Sequence, residues 1–98
     1  MQSIVTDSMI SEAMKYFTSL IPKDPKILEI FYHYERGGAF VVNTVIKPDT
    51  EMALEARVFV AESATMKKFP HIPYDWHNLP EPVSELFRSN DAVTVYKQ

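Results

Sequence analysis

The stretch FPHIPYDWHNLPEP, residues 69–82, gathers four prolines, two histidines, one aspartate and the only tryptophan of the chain. His71, Asp75 and His77 are ligand types for zinc, which takes imidazole and carboxylate donors at about 2.0–2.2 Å, and His33 could join them from another element. H-x-x-x-D-x-H is not a defined metal motif, and the prolines deny it a helix that would array the donors on one face. The chain has no cysteine, which removes thiolate ligands, disulfides and a thiol nucleophile. No metal and no cofactor are therefore expected.

A second chemistry is acid–base. His33, Glu55 and Arg57, with Asn43, form a polar patch if the segments carrying them are neighbouring strands, and a histidine beside a carboxylate is tuned for proton transfer. Ordinary cross-strand pairing explains the same residues, at about 0.2–1 kcal/mol per pair. No Gly-rich phosphate loop, G-x-S-x-G or H-E-x-x-H occurs. Lys67, Pro70 and Pro73 match K-x-x-P-x-x-P, a polyproline II ligand pattern that is short enough to arise by chance.

The third chemistry is recognition. Tyr74 and Trp76 stand on a proline-stiffened segment, and rigid aromatics lose little entropy on binding. The competing reading has Phe69, Ile72 and Trp76 folding back over the chain's own sheet, the prolines merely restricting the unfolded chain.

The elements that would position these residues follow from periodicity. Residues 8–21 repeat apolar positions at helical spacing, with Asp7 or Ser8 as cap and Pro22 as stop. Residues 26–35 and 39–46 are rich in aromatic and β-branched types and read as strands joined by a turn at 36–38. That turn pairs Tyr34 with Phe40, Tyr32 with Val42, Ile30 with Thr44 and Leu28 with Ile46. Residues 52–61 alternate Met52, Leu54, Ala56, Val58 and Val60 and read as a third strand, although EMALEA also suits a helix. A Pro-rich loop, a short helix with Val83, Leu86 and Phe87 inward, and a closing strand at 92–96 complete the chain. The expected fold is α+β in two layers. One N-terminal amphipathic helix packs on a 3–4-stranded antiparallel sheet, in the order α-β-β-β-(Pro-rich loop)-α-β.

This order resembles a double-stranded-RNA-binding domain in outline, but that fold's basic second helix has no counterpart in PVSELFRSN; it is also similar in outline to cystatin-like folds and acidic secretion chaperones. Topology alone implies no function.

Ninety-eight residues with a 46% apolar share make one domain, residues 1–98, able to build a core without staples. A net charge of −3 from 10 basic and 13 acidic residues leaves no basic stripe for nucleic acid. MQSIVTDSMI lacks the pattern of a signal peptide, and no apolar run has the length of a membrane span, so a soluble, cytoplasmic protein is expected. The functional expectation is a small acidic, non-catalytic protein-binding domain, of inhibitor, immunity or adaptor type. Its partner is another protein, with a homodimer compatible, and neither nucleic acid nor membrane. Tyr74, Trp76, His77, Phe31, His33 and Arg57 are the expected contact residues. The alternative is a small-ligand enzyme using His33, Glu55 and Arg57 on the open sheet face.

Overall fold

In the computed structural model, which describes residues 5–34 and 38–98, helix α1 runs over Asp7–Leu20. Thr6 caps it, its hydroxyl accepting the Met9 amide at 3.2 Å, and Asp7 in the first turn complements the helix dipole. The cap is thus one residue before the expected pair. Ile10, Ala13, Met14 and Phe17 form the buried stripe, and Pro22 follows the last helical turn.

Strands β1, Ile27–Tyr34, and β2, Phe40–Ile46, pair antiparallel. Tyr34 lies opposite Phe40, Tyr32 opposite Val42 and Ile30 opposite Thr44, as the alternation required. At the far end a bulge between Ile27 and Glu29 puts Ile27, not Leu28, opposite Ile46. One extra residue inverts the faces. Ile27 enters the main core, while Leu28 turns to the other side, against Phe31, Val45 and Leu79. Residues 35–37 lie outside the described set, and with them most of the expected turn. Gly38 is described; its φ of +110° is a backbone state that suits glycine and strains other residues.

The third expected strand is not a strand. Helix α2 spans Met52–Lys68 and buries Leu54, Val58, Ala61 and Thr65, a helical repeat. Met52 and Val60, placed inward by the alternating reading, are 83% and 66% exposed. Ala, Leu, Met, Glu and Lys dominate this stretch, and no Gly or Pro interrupts it between Pro48 and Pro70. Intrinsic preference therefore supports one long helix.

The expected Pro-rich loop instead contributes β3, Tyr74–Pro80, which runs parallel to β2 from Phe40↔Tyr74 to Ile46↔Pro80. Pro73 and Pro80 stand at its ends, so its interior keeps every amide. A parallel neighbour needs a long crossover, and α2 is that crossover. A 3₁₀ segment follows at Glu81–Phe87, then strand β4 at Val93–Lys97, antiparallel to β1. The sheet order is β3-β2-β1-β4, mixed rather than antiparallel. The order of elements is thus α-β-β-α-β-3₁₀-β, and the outline likeness to an α-β-β-β-α domain does not hold.

Both helices cover one face. The main core joins Phe17 and Met14 of α1, Val58 and Leu54 of α2, and Ile30, Phe40, Val42 and Ile46 of the sheet. Tyr74 and Trp76 belong to this layer: the Trp76 ring lies 4.8 Å from Phe17 and stacks on Tyr74 at 4.9 Å. The Tyr74 hydroxyl donates to the Phe69 carbonyl at 3.0 Å, and burial pushes it up to about 12. The opposite face is covered only in part, by the 3₁₀ segment and the residues after it. In that segment Ser84 is buried, whereas Leu86 and Phe87, expected inward, are 82% and 50% exposed. Among the described residues no helix is long and apolar enough to cross a membrane.

Glu62 is the acidic side chain in the helical layer. Burial pushes its carboxyl up to about 7 from an ordinary 4.5. Between those two values the folded chain holds a proton that the unfolded chain has released, so folding loses stability as pH rises through that window and levels off above it. Glu62→Gln is expected to be as stable as wild type near pH 4 and more stable at pH 8; urea midpoints of both proteins at the two pH values check it.

Candidate binding cleft on the open sheet face

Strand parity builds the second surface. Residues with odd numbers on β2, β3 and, beyond the bulge, on β1 from Glu29 onward face away from the helices, and the register sets them in rows. Thr94, Phe31, Asn43 and His77 make one row; His33, Val41 and Asp75 make the next. Over these rows lie Leu86, Phe87, Arg88 and Ser89, and between sheet and segment opens a cleft of about 470 Å³.

Three kinds of group line it. Val41 supplies an apolar floor, and Leu86 and Phe87 form an apolar lip that stays in solvent. Asp75 Oδ2 and His77 Nε2 are 3.1 Å apart, two residues along one strand face and both about half exposed. Asn43 is only 1% exposed, lines the cleft, and its Nδ2 has no hydrogen-bond partner. A buried amide donor without an acceptor costs about 1–3 kcal/mol, so a ligand that brings an acceptor would recover that cost.

Arg88 holds the wall of the cleft. Its guanidinium donates to Glu29 at 2.7 Å and to Glu85 at 2.9 Å, and it lies 4.2 Å from the centre of the Phe31 ring. Thr94 donates to the other Glu29 oxygen at 3.1 Å. With both carboxylates engaged, Arg88 fastens the segment after residue 87 to β1 and has little net charge left to attract an anion. Next to it the Ser89 hydroxyl donates to Asp91 at 2.6 Å and, as the chief cause, holds that carboxyl below its usual range.

The residues singled out in the sequence divide between the two faces. His33 and His77 both line the cleft, whereas Phe31, on the same face, is fully buried beneath Arg88 and does not line it. Tyr74 and Trp76 face the helices instead, partly buried against the core. Arg57 and Glu55 sit on α2, on the helical side of the sheet, and do not approach His33. The proposed His33, Glu55 and Arg57 patch is therefore not assembled. Asp75 and His77 take the place expected for the two α2 residues, because β3 rather than residues 52–61 adjoins β2. Among the described residues no three His, Cys, Asp or Glu side chains are grouped to hold a metal ion. His71 is in the turn before β3, outside the cleft, and Lys67 is inside α2, which takes the K-x-x-P-x-x-P stretch out of an extended form. Arg88 and Asp75 were not legible as neighbours of His33, although Asp75 and His77, two apart, must share a face in any strand.

The sequence matches no protein-family model and no curated protein, and no solved structure matches the chain.

Replacing Arg88 by Met keeps the stem over Phe31 but leaves the Glu29 carboxylate, 13% exposed, without its cation. The expected loss is about 1–3 kcal/mol in urea unfolding. Glu29→Gln added to Arg88→Met should cost less than the two single changes combined, the mark of direct coupling.

Proposed function

We propose that this chain is a small non-catalytic protein-binding domain whose contact surface is the open-face cleft with its Leu86–Phe87 lip. The observation that carries the reading is the meeting of an unpaired, buried Asn43 donor with two large apolar side chains left in solvent at the same cleft. Interfaces are built this way: apolar anchors at the centre, with polar groups that fix orientation and exclude water around them. The matching partner is a segment that offers a carbonyl or carboxylate oxygen to Asn43 and an apolar side chain to Leu86 and Phe87. His33 and His77 complete the polar rim. The weak net charge of −3 and the carboxylates already bound to Arg88 favour a neutral segment over a polyanion.

One observation favours a second reading, acid–base action on a small ligand in the same cleft. The Asp75 carboxylate is 3.1 Å from His77 Nε2, the relation by which a carboxylate orients an imidazole base. The polar set is then His33, Asp75 and His77.

The two readings separate by which side chains matter. Leu86→Ser with Phe87→Ser leaves the core intact, since both residues are largely in solvent. Proteins retained from the native host by immobilised wild type should bind this variant about 30-fold more weakly, as loss of a hot spot of about 2 kcal/mol dictates. His77→Gln should change that binding little. Equal capture by the Leu86/Phe87 variant would sink the protein-binding reading. Turnover that is lost in His77→Gln but kept in the Leu86/Phe87 variant would establish the second.

A further inference from the structure

The two edges of the sheet differ. The β4 edge is broken by a register shift between Ile30 and Phe31 of β1, and it carries Lys97. Both are devices that keep an edge strand from pairing with other chains. The β3 edge has neither. Tyr74–Pro80 pairs with β2 residue by residue without a shift, and no lysine or arginine stands in it. The Phe40 amide donates to the Pro73 carbonyl at 2.9 Å while Phe40 lies opposite Tyr74, and together these fix the phase of the parallel ladder. In such a ladder alternate residues turn both backbone groups to the same neighbour. Asp75, His77 and Leu79 therefore bond to β2, and Trp76 and Asn78 direct their N–H and C=O outward along the end of the sheet. Pro73 and Pro80, which lack a donor, bracket this window and do not interrupt it.

We propose that the β3 edge pairs antiparallel with the same edge of a second copy of this chain, about a two-fold axis at Trp76, so that two four-stranded sheets join into one. The occupant is an extended strand, because what the edge offers is backbone. Charge selects a second copy and its register. Asp75 and His77, both about half exposed, lie two residues apart on one face. An antiparallel pair centred on Trp76 sets Asp75 opposite His77 of the second copy, twice over by symmetry, and opposite charges so placed attract. Each imidazole then lies between two carboxylates, one from each copy. The same axis is in phase with the backbone. The Trp76 amide meets the Trp76 carbonyl of the second copy, and the Asn78 amide meets its Tyr74 carbonyl; the Tyr74 amide is already given to Ile72 at 3.0 Å. An axis at His77 leaves Asp75 facing Leu79, and an axis at Asn78 sets Asp75 against Glu81, a like-charge pair. The register that matches the charges is thus also one that uses both outward donors, the self-complementarity a two-fold interface requires. Asp75 and His77 line the open-face cleft, so the second copy extends the polar rim of each cleft with its own pair. The interface does not depend on what the cleft binds.

Asn78→Pro separates the edge from the fold. The Asn78 amide faces away from β2, so proline at that position removes no bond of the chain's own sheet and blocks the second copy. Light scattering of the wild type should show a concentration-dependent dimer. Asn78→Pro should be a monomer at the same concentrations, with an unchanged far-UV circular dichroism spectrum. The chain has no cysteine, so disulfides read the register independently. Residues directly opposite in a non-hydrogen-bonded antiparallel pair have Cα atoms about 4.5 Å apart, within the range of about 4.4–6.8 Å that a disulfide spans. Full-length Asp75→Cys mixed with full-length His77→Cys should form a covalent dimer under mild oxidation about tenfold or more faster than Lys23→Cys, an exposed site away from β3. Either protein alone should cross-link no faster than Lys23→Cys. A wild type that is monomeric at every concentration overturns the proposal, as does a dimer that survives in folded Asn78→Pro. Rapid cross-linking of His77→Cys alone, the mark of an axis at His77, overturns it too. If Asn78→Pro does not fold, the mixed cross-link decides.

Discussion

The structure depends on the burial of β2. All seven residues of Phe40–Ile46 are buried, on both faces and along both edges. A strand so placed needs a paired neighbour on each side and cover above and below. β1 fills one side through the hairpin. The other is filled by β3, and because β3 runs parallel to β2 the chain must travel the length of the sheet to reach it. Helix α2 makes that return and, in doing so, supplies half of the cover on one face. One demand, pairing the second edge of β2 in parallel, therefore fixes the helix, the mixed sheet and the position of His77 beside Asn43.

The hairpin and α1 were legible because each is local. Side chains opposite one another across β1 and β2 had to match, and only one turn length matched them, so the pairing from Tyr34↔Phe40 to Ile30↔Thr44 followed from apolar alternation. The bulge at Ile27 could not be seen that way: a bulge moves one residue and leaves the composition unchanged. The region 52–61 satisfied two periods at once. Leu54 and Val58 are inward in either, and the exposed Met52 and Val60 supplied the false alternation. Length decided between them, since an uninterrupted run to Lys68 is common in helices and rare in strands. β3 was hidden by its flanking prolines. They marked a loop by composition, while the six residues between them, Tyr74 to Leu79, alternate between helical layer and open face.

The candidate site shows the same division. His33 and Asn43 were placed on one face by parity, which needs only local extended backbone, and there they are. Glu55 and Arg57 were placed beside them by strand order, a non-local property, and they are elsewhere. Phe31 lies under Arg88 for a reason no spacing discloses, since 57 positions separate the two in sequence. Tyr74 and Trp76 are part of a cross-layer aromatic cluster with Phe17 and Phe40. Their rigidity serves the core.

The central strand also explains where the polar cost of this fold falls. Asn43 Nδ2 and Thr44 Oγ1, adjacent on β2, are buried without hydrogen-bond partners, and so is Nε1 of Trp76, opposite Val42. Each such group costs about 1–3 kcal/mol. Valine is nearly isosteric with threonine, so Thr44, within the helical layer, carries a cost that a simple core would avoid. Asn43 differs in kind, because its face is roofed only by the 3₁₀ segment and opens to the cleft. The same defect thus lies within the packed layer on one side of β2 and at the lining of the cleft on the other. Of the two buried polar residues at the middle of the sheet, only the one on the open face lines a cleft, so the two unpaired groups differ in what surrounds them and not in how deeply they are buried.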